Sequence, residues 1–439
     1  MNDFDRLPAR ARTTGVRQMR DSTWRSAALA LLGVALLAGC RAEDEDINLP
    51  EAPAIGGGLF ERYVALGNSI TAGFQSLGIN DSTQRQAYPY LLAQQANANF
   101  TLPLLSRPGC PPPLAGPFSS TTIAGTPLGQ AVCFFRASPT PRLINNLAVP
   151  GANILDAIDH TANENAGDTF NRLQTFILGG RSQVDAMLDA DPTFISVMLG
   201  SGDALGAALD GDAGALTHLA SFQASLDELE TAINSTDAQA VLVIGAVNAN
   251  VMPALQPGLF YWAVKQDPST APLLPKEVSN NCAPVNLLGQ PNRLAANIIS
   301  YTVLFDPTVA EISCADDAPY VLPPAEQQAI SVRVGEYNAA LQQTAADNGW
   351  VFFDVNAWLT PALADPVLLR KCQGLATART AEEIRAAILA TCPSPVPSVG
   401  FGRFMSFDGI HPSAEAHRLV TQALIDTLNE ALDIEIPRL

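Results

Sequence analysis

Basic charge is scarce in this chain of 439 residues. Lys and Arg number 25 against 43 Asp and Glu, a formal net charge of −18. A surface of that sign repels nucleic acid, and no basic patch offsets it. Histidine is scarcer still: only His160, His218, His411 and His417 occur. The seven cysteines show no zinc spacing, and the pattern calls for no metal and no cofactor. After the first 39 residues no apolar run is long enough to span a bilayer as a helix, and no segment repeats. What is abundant is apolar side chain, 47% of the residues. That suffices for a sizeable core, and it excludes disorder on a large scale.

The N-terminus reads as a targeting segment. Arg6, Arg10, Arg12, Arg17, Arg20 and Arg25 precede an apolar run from Ala27 to Ala38, too short to serve comfortably as a permanent span. The run ends in Leu37-Ala38-Gly39-Cys40, which resembles a bacterial lipobox. The resemblance implies a signal peptide over residues 1–39, cleavage before Cys40 and a lipid on that cysteine. It implies a lipid-anchored protein of the bacterial cell envelope. Arg41 stands where an inner-membrane retention signal would place Asp, so the outer membrane is expected. Residues 40–58 form a tether: Glu43-Asp44-Glu45-Asp46, then Pro50, Pro53 and Gly56-Gly57-Gly58. The main domain is expected over residues 59–439, as a monomer.

Six cysteines remain once Cys40 is set aside, an even number in an oxidising compartment. They fall into three sequence-local pairs. Of fifteen possible connectivities, Cys110–Cys133, Cys282–Cys314 and Cys372–Cys392 is the expected one.

Two ends of the domain carry the chemistry. Tyr63-Val64-Ala65-Leu66 is a buried-strand run that ends in Gly67-Asn68-Ser69, and Thr71-Ala72-Gly73 can start a helix. A serine there stands at the carboxyl end of a strand, where open α/β folds bind ligands. Far down the chain, Asp408-Gly409-Ile410-His411-Pro412 lets one loop hold a carboxylate and an imidazole. The acid can fix the tautomer while the second ring nitrogen faces a nucleophile. Together these ends resemble the SGNH (GDSL-type) hydrolase family, in the order Ser…Asp…His. Ile70 and Thr71 after the serine exclude the Gly-x-Ser-x-Gly elbow of α/β-hydrolases.

The resemblance extends to intermediate blocks. Asn146-Leu147-Ala148-Val149-Pro150-Gly151-Ala152-Asn153 is similar to the second block, whose glycine offers an N–H to the oxyanion; that role maps to Gly151. Gly200-Ser201-Gly202-Asp203 stands where the third block has Gly-x-Asn-Asp. Gly202 thus lacks the family's side-chain oxyanion donor, a loss that typically costs ~10²–10³ in turnover. Asn153 or Asn68 are candidates to replace it. Asp408 is the expected orienting acid, with Asp203 and Asp354 the alternatives. His417 is expected on the surface of the last helix, and neither His160 nor His218 carries a motif.

Apolar strands at 63–67, 194–199, 240–247 and 349–355 alternate with helical segments at 219–235, 325–348 and 413–432. That alternation argues for a parallel sheet with helices on both faces. The family resemblance implies a three-layer α/β/α sandwich with a flavodoxin-like, mainly parallel sheet. Disulfide-stapled insertions are expected near 98–145, 249–323 and 360–403. The implied function is a serine esterase or lipase acting on an acyl ester through Ser69, His411 and Asp408, with the N–H groups of Ser69 and Gly151 and the side chain of Asn153 around the oxyanion. The alternatives are a non-catalytic lipid-anchored binding protein on the same scaffold and an O-acyltransferase.

Overall fold

The sheet is built from strands that are apolar but for Ser196, because both of its faces are covered. The computed structural model describes residues 58–130, 132–133, 143–159, 170–375, 378 and 380–439. The leader, Cys40 and almost all of the tether lie outside the described residues, as does His160. In chain order the elements used below are β1 (Tyr63–Gly67), α1 (Ser69–Ala72), α2 (Tyr88–Gln95), α3 (Ile154–Ile158), α4 (Gln183–Ala190), β2 (Phe194–Met198), α5 (Gly202–Asp210), α6 (Leu219–Asn234), β3 (Ala240–Ile244), α7 (Gly258–Gln266), α8 (Pro324–Asp347), β4 (Val351–Phe353), α9 (Ala381–Thr391) and α10 (Ala414–Leu432).

β1 to β4 form one parallel sheet in the order β1-β2-β3-β4, with Tyr63 opposite Phe194, Phe194 opposite Ala240 and Leu242 opposite Val351. All ten residues of β1 and β2 are buried. The segment Asn145–Val149 runs along the free edge of β1. Ala65 N–H donates to the Asn145 carbonyl, Leu147 N–H to that of Ala65 and Val149 N–H to that of Gly67, at 2.8, 2.8 and 3.2 Å. Counted as an edge strand, it completes the flavodoxin-like order 2-1-3-4-5. In that order the chain changes direction of travel between β1 and β2, and the cleft opens at their carboxyl ends. Ser69 follows β1 there.

Helices flank the sheet as expected. α2 packs against α10, while α6 packs against α3 and α8. The three predicted long helices lie within two residues of their expected bounds, since each carries an apolar face at helical spacing.

The insertions are mostly loop. The middle one adds an antiparallel sheet of Leu255–Pro257, Ile298–Ser300 and Val321–Leu322, and a parallel pair, Glu277–Val278 with Glu311–Ile312. Disulfides join Cys110–Cys133, Cys282–Cys314 and Cys372–Cys392, the expected pairing, with one link in each insertion. No helix among the described residues is long and apolar enough to cross a membrane.

Candidate active site

The strand-to-helix turn at Ser69 depends on a missing side chain. A Cβ on Gly67 would stand 2.2 Å from Thr71 Oγ1, so only glycine lets α1 fold back over the end of β1. Gln183 of α4 holds that glycine at both ends: Gly67 N–H donates to its Oε1 at 2.8 Å and its Nε2 donates to the Gly67 carbonyl at 2.9 Å. Asn68 is the N-cap, its Oδ1 accepting from Ile70 N–H at 3.1 Å. Ser69 thus becomes the first residue of the helix, where a backbone N–H has no intrahelical partner.

Ser69, His411 and Asp408 are brought together from sites more than 300 residues apart in the chain. Ser69 Oγ is 3.0 Å from His411 Nε2, and His411 Nδ1 is 2.8 Å from Asp408 Oδ2. Serine and histidine are 8% and 6% exposed, and the aspartate is fully buried. Phe74 packs a tilted ring on the imidazole, centroids 5.0 Å apart.

The Asp408 carboxylate is saturated with donors. Oδ1 accepts from the N–H groups of Ile410 and His411, both at 2.8 Å, and from Ser406 Oγ at 3.0 Å. Oδ2 accepts from Leu77 N–H at 2.8 Å as well as from His411. Burial opposes ionisation, but the charge of His411 and these hydrogen bonds outweigh it and hold the Asp408 pKa below the usual carboxylate value. The loop after α1 completes the cradle. Ser76 N–H donates to Ser406 Oγ, and Phe407 N–H donates to Ser76 Oγ, at 2.8 and 3.0 Å. Ser76 and Leu77 both take positive φ, a conformation that sequence composition gives no means to expect in these residues.

Neither alternative acid reaches His411 by a hydrogen bond. Asp354 caps the helix that follows β4, through the N–H groups of Asn356 and Ala357. Asp203 accepts from Ile154 N–H at 3.0 Å, at the start of α3. Burial pushes the Asp203 pKa up to about 6 against the lowering effect of its hydrogen bonds, with the nearby Asp156 charge adding to the rise.

The second block lies beside the serine through the Val149–Gly67 hydrogen bond. Gly151 sits at φ +86°, which favours glycine, and its N–H donates to no described residue. Asn153 caps α3, its Oδ1 accepting from Asp156 N–H at 2.9 Å. Gly202 explains its own departure from the family pattern. A Cβ there would meet the Ala152 carbonyl oxygen at 2.3 Å and Asn153 N at 3.2 Å. The second-block backbone occupies the space that a side chain at position 202 would need.

His417 corrects the sequence reading. It is buried, not on the surface. Its Nδ1 accepts from Tyr88 N–H at 3.2 Å. Burial, with the His411 charge behind it, lowers its pKa to about 3. His218 is the N-cap residue of α6 and makes no side-chain hydrogen bond there.

A narrow apolar cleft adjoins the site. Ile70, Ile410 and Pro412, the sequence neighbours of Ser69 and His411, line it with Met198 and Ile244 from the strand ends, Trp358, and Leu424 of α10. Among the described residues no group of three or more His, Cys, Asp or Glu could hold a metal.

The fold is a parallel α/β sheet with a serine, a histidine and an aspartate joined by hydrogen bonds at its carboxyl edge. The chain belongs to the GDSL-like Lipase/Acylhydrolase family, whose profile matches residues 63–424. No curated protein matches it. Among solved structures it is similar to an extracellular lipase from Streptomyces rimosus, at 16% identity over 84% of this chain and 98% of that one, TM-score 0.33. It is similar to an acetylxylan esterase from Geobacillus stearothermophilus, at 10% identity over 86% and 95%, TM-score 0.35. A third likeness is to an alpha/beta hydrolase enzyme from the metagenome of Lake Arreo, Spain, at 11% identity over 84% and 95%, TM-score 0.33. These likenesses are too remote to bear on substrate.

Proposed function

We propose that the protein hydrolyses carboxylic esters with an apolar acyl chain, with Ser69 as nucleophile. The observation that carries this reading is the hydrogen-bonded line from Ser69 Oγ through His411 to buried Asp408, set at the switch point of the sheet. Ser69 Oγ attacks the ester carbonyl while His411 Nε2 takes its proton. The carbonyl oxygen becomes an anion facing the N–H groups of Ser69 and Gly151, with the Asn153 side chain a candidate third donor. The C–O bond to the alcohol then breaks, and the alcohol leaves with the proton from His411. Water, deprotonated by His411, attacks the acyl-serine; the bond to Ser69 Oγ breaks, His411 returns the proton to Oγ, and the acid is released. Asp408 orients His411 and stabilises it when protonated. The cavity beside Ser69 is the place for the acyl chain. Neither the binding-protein nor the acyltransferase alternative gains an observation in its favour.

The test is hydrolysis of p-nitrophenyl esters of increasing chain length by the full chain and by Ser69→Ala. Turnover in the first and its loss in the second supports the reading. Equal turnover in both removes Ser69 from the chemistry, and none in either removes the esterase.

We also propose lipidation at Cys40 and an envelope location, supported by the Arg-rich start and Leu37-Ala38-Gly39-Cys40. Expressed in bacteria, the protein should take up labelled palmitate and partition into detergent, and Cys40→Ser should do neither. Uptake unchanged in Cys40→Ser would place the lipid elsewhere.

A further inference from the structure

A second cavity, of about 330 Å³, shares no lining residue with the one beside Ser69. That volume lies at the lower end of the range of small-molecule sites. Residues of the α/β core contribute nothing to it. Phe118 comes from the first insertion, Phe260, Val264 and Leu274 from the second, and Ile388 from the third. The two cavities lie to either side of one chain segment, with Leu369 in the wall of the first and Arg370 in the wall of the second.

Arg370 is the one charged residue in this wall. Its Nε donates to the Cys392 carbonyl at 2.6 Å and its Nη2 to the Leu389 carbonyl at 2.8 Å. Those bonds fix the guanidinium in place without neutralising it. No carboxylate of the described residues forms an ion pair with it, whereas Arg293 pairs with Asp316, Arg403 with Glu415 and Arg438 with Asp426. Of the five N–H donors of the guanidinium, two are used. A half-buried cation beside apolar walls is costly unless an anion completes it. A guanidinium held in this way matches a carboxylate in both charge and shape. At the rim, Leu389 is 70% exposed, so the apolar surface continues out to solvent.

We propose that this cavity binds a single-chain carboxylate amphiphile, its head on the Arg370 guanidinium and its tail between Phe260, Val264, Leu274 and Ile388. The inference goes beyond the esterase reading and does not need Ser69. An acid released from an acyl ester has the same chemistry, so the site would hold product away from the nucleophile.

The test is fluorescence titration of the full chain with dansyl-undecanoate, below its micellar range. Binding should saturate, and decanoate should displace the probe while decan-1-ol does not. Arg370→Gln should weaken binding about tenfold, the loss of one charge-assisted contact. Leu274→Trp, which fills the cavity, should abolish it. Val420→Phe, in the cavity beside Ser69, should leave it unchanged. Arg370→Gln also removes two bonds that hold the Cys392 turn; if that variant does not fold, Leu274→Trp and the decanoate–decanol comparison decide. The proposal is overturned by absence of saturable binding or by displacement as strong with the alcohol as with the acid. It is also overturned if binding survives Leu274→Trp but not Val420→Phe, because the ligand would then sit beside Ser69.

Discussion

At the scale of single residues, the site is governed by where side chains are missing. Gly67 is required by Thr71, and Gly202 by the Ala152 carbonyl. From the sequence, Gly202 reads as a lost donor that Gly202→Asn would restore. The contact distances reverse that expectation. A Cβ at 2.3 Å from a backbone oxygen must push the Ala152–Asn153 peptide away, and overpacking of this kind costs ~1–3 kcal/mol. The same peptide follows Gly151, so the displacement reaches the proposed oxyanion donor. A misplacement of about 1 Å is enough to lower turnover by ~10²-fold. Gly202→Asn should therefore lose kcat with little change in KM, and melt earlier. A rise in kcat would show that the loop accommodates the side chain and that the missing donor was limiting. Ser69, Asp408 and His411 were legible because each sits in a short motif with a chemical reason for its spacing. Gln183, Ser76 and Leu77, which hold them, were not. A clamp on Gly67 from a helix 116 residues away, or a positive φ in a serine and a leucine, leaves no local trace.

At the scale of elements, α10 does more than close the sheet. Val420, Leu424 and Leu428 mark it as an amphipathic helix in the sequence, and Leu424 and Leu428 are fully buried. His417 and Thr421 continue that same face at spacings of four and three, and both are fully buried. The signal was present, but it belonged to the helix face and not to the distance from His411. α2 has Ala87 as its N-cap, which offers no side-chain acceptor. His417 supplies one across the fold, through Nδ1 to Tyr88 N–H. The neutral ring therefore carries its proton on Nε2, which finds no partner among the described residues. The sign of the pH effect follows. The folded pKa, about 3, lies below the ordinary value of 6.5. Above 6.5 both states hold a neutral ring and nothing is lost. Below it the unfolded chain takes up a proton that the folded one refuses, and stability falls by ~1.4 kcal/mol per pH unit down to about 3. His417→Asn places an amide oxygen where Nδ1 stands and cannot titrate, so its melting temperature should hold up better than wild type between pH 6 and 4. His417→Phe should be less stable at pH 8 by about 1 kcal/mol, the worth of a helix cap. Parallel acid profiles for wild type and His417→Asn would remove His417 as the source.

At the scale of the whole molecule, the core and the insertions divide the work. Parallel strands announce themselves as continuous apolar runs, so the sheet and the switch-point serine were readable. The insertions were readable only as insertions: their cysteines paired locally, but nothing in a Pro-rich or loop-rich stretch says which cavity it will wall. Trp358, Leu369, Phe404 and Met405, near or within the third insertion, close the cavity beside Ser69 against Val420 and Leu424 of α10. Trp358 stacks on Phe404 with ring centroids 5.7 Å apart, which makes that pair one wall of the cavity. If an acyl chain lies there, each methylene it buries contributes ~0.8 kcal/mol, or about fourfold in kcat/KM, until the cavity is full. The chain-length profile should therefore climb and then break. Trp358→Ala should move the break to longer chains, and Val420→Phe to shorter ones, while the acetyl ester, with no chain to fill the cavity, should keep its rate in both. A break that stays where it is in both variants would put the acyl chain outside this cavity while leaving Ser69 as the nucleophile.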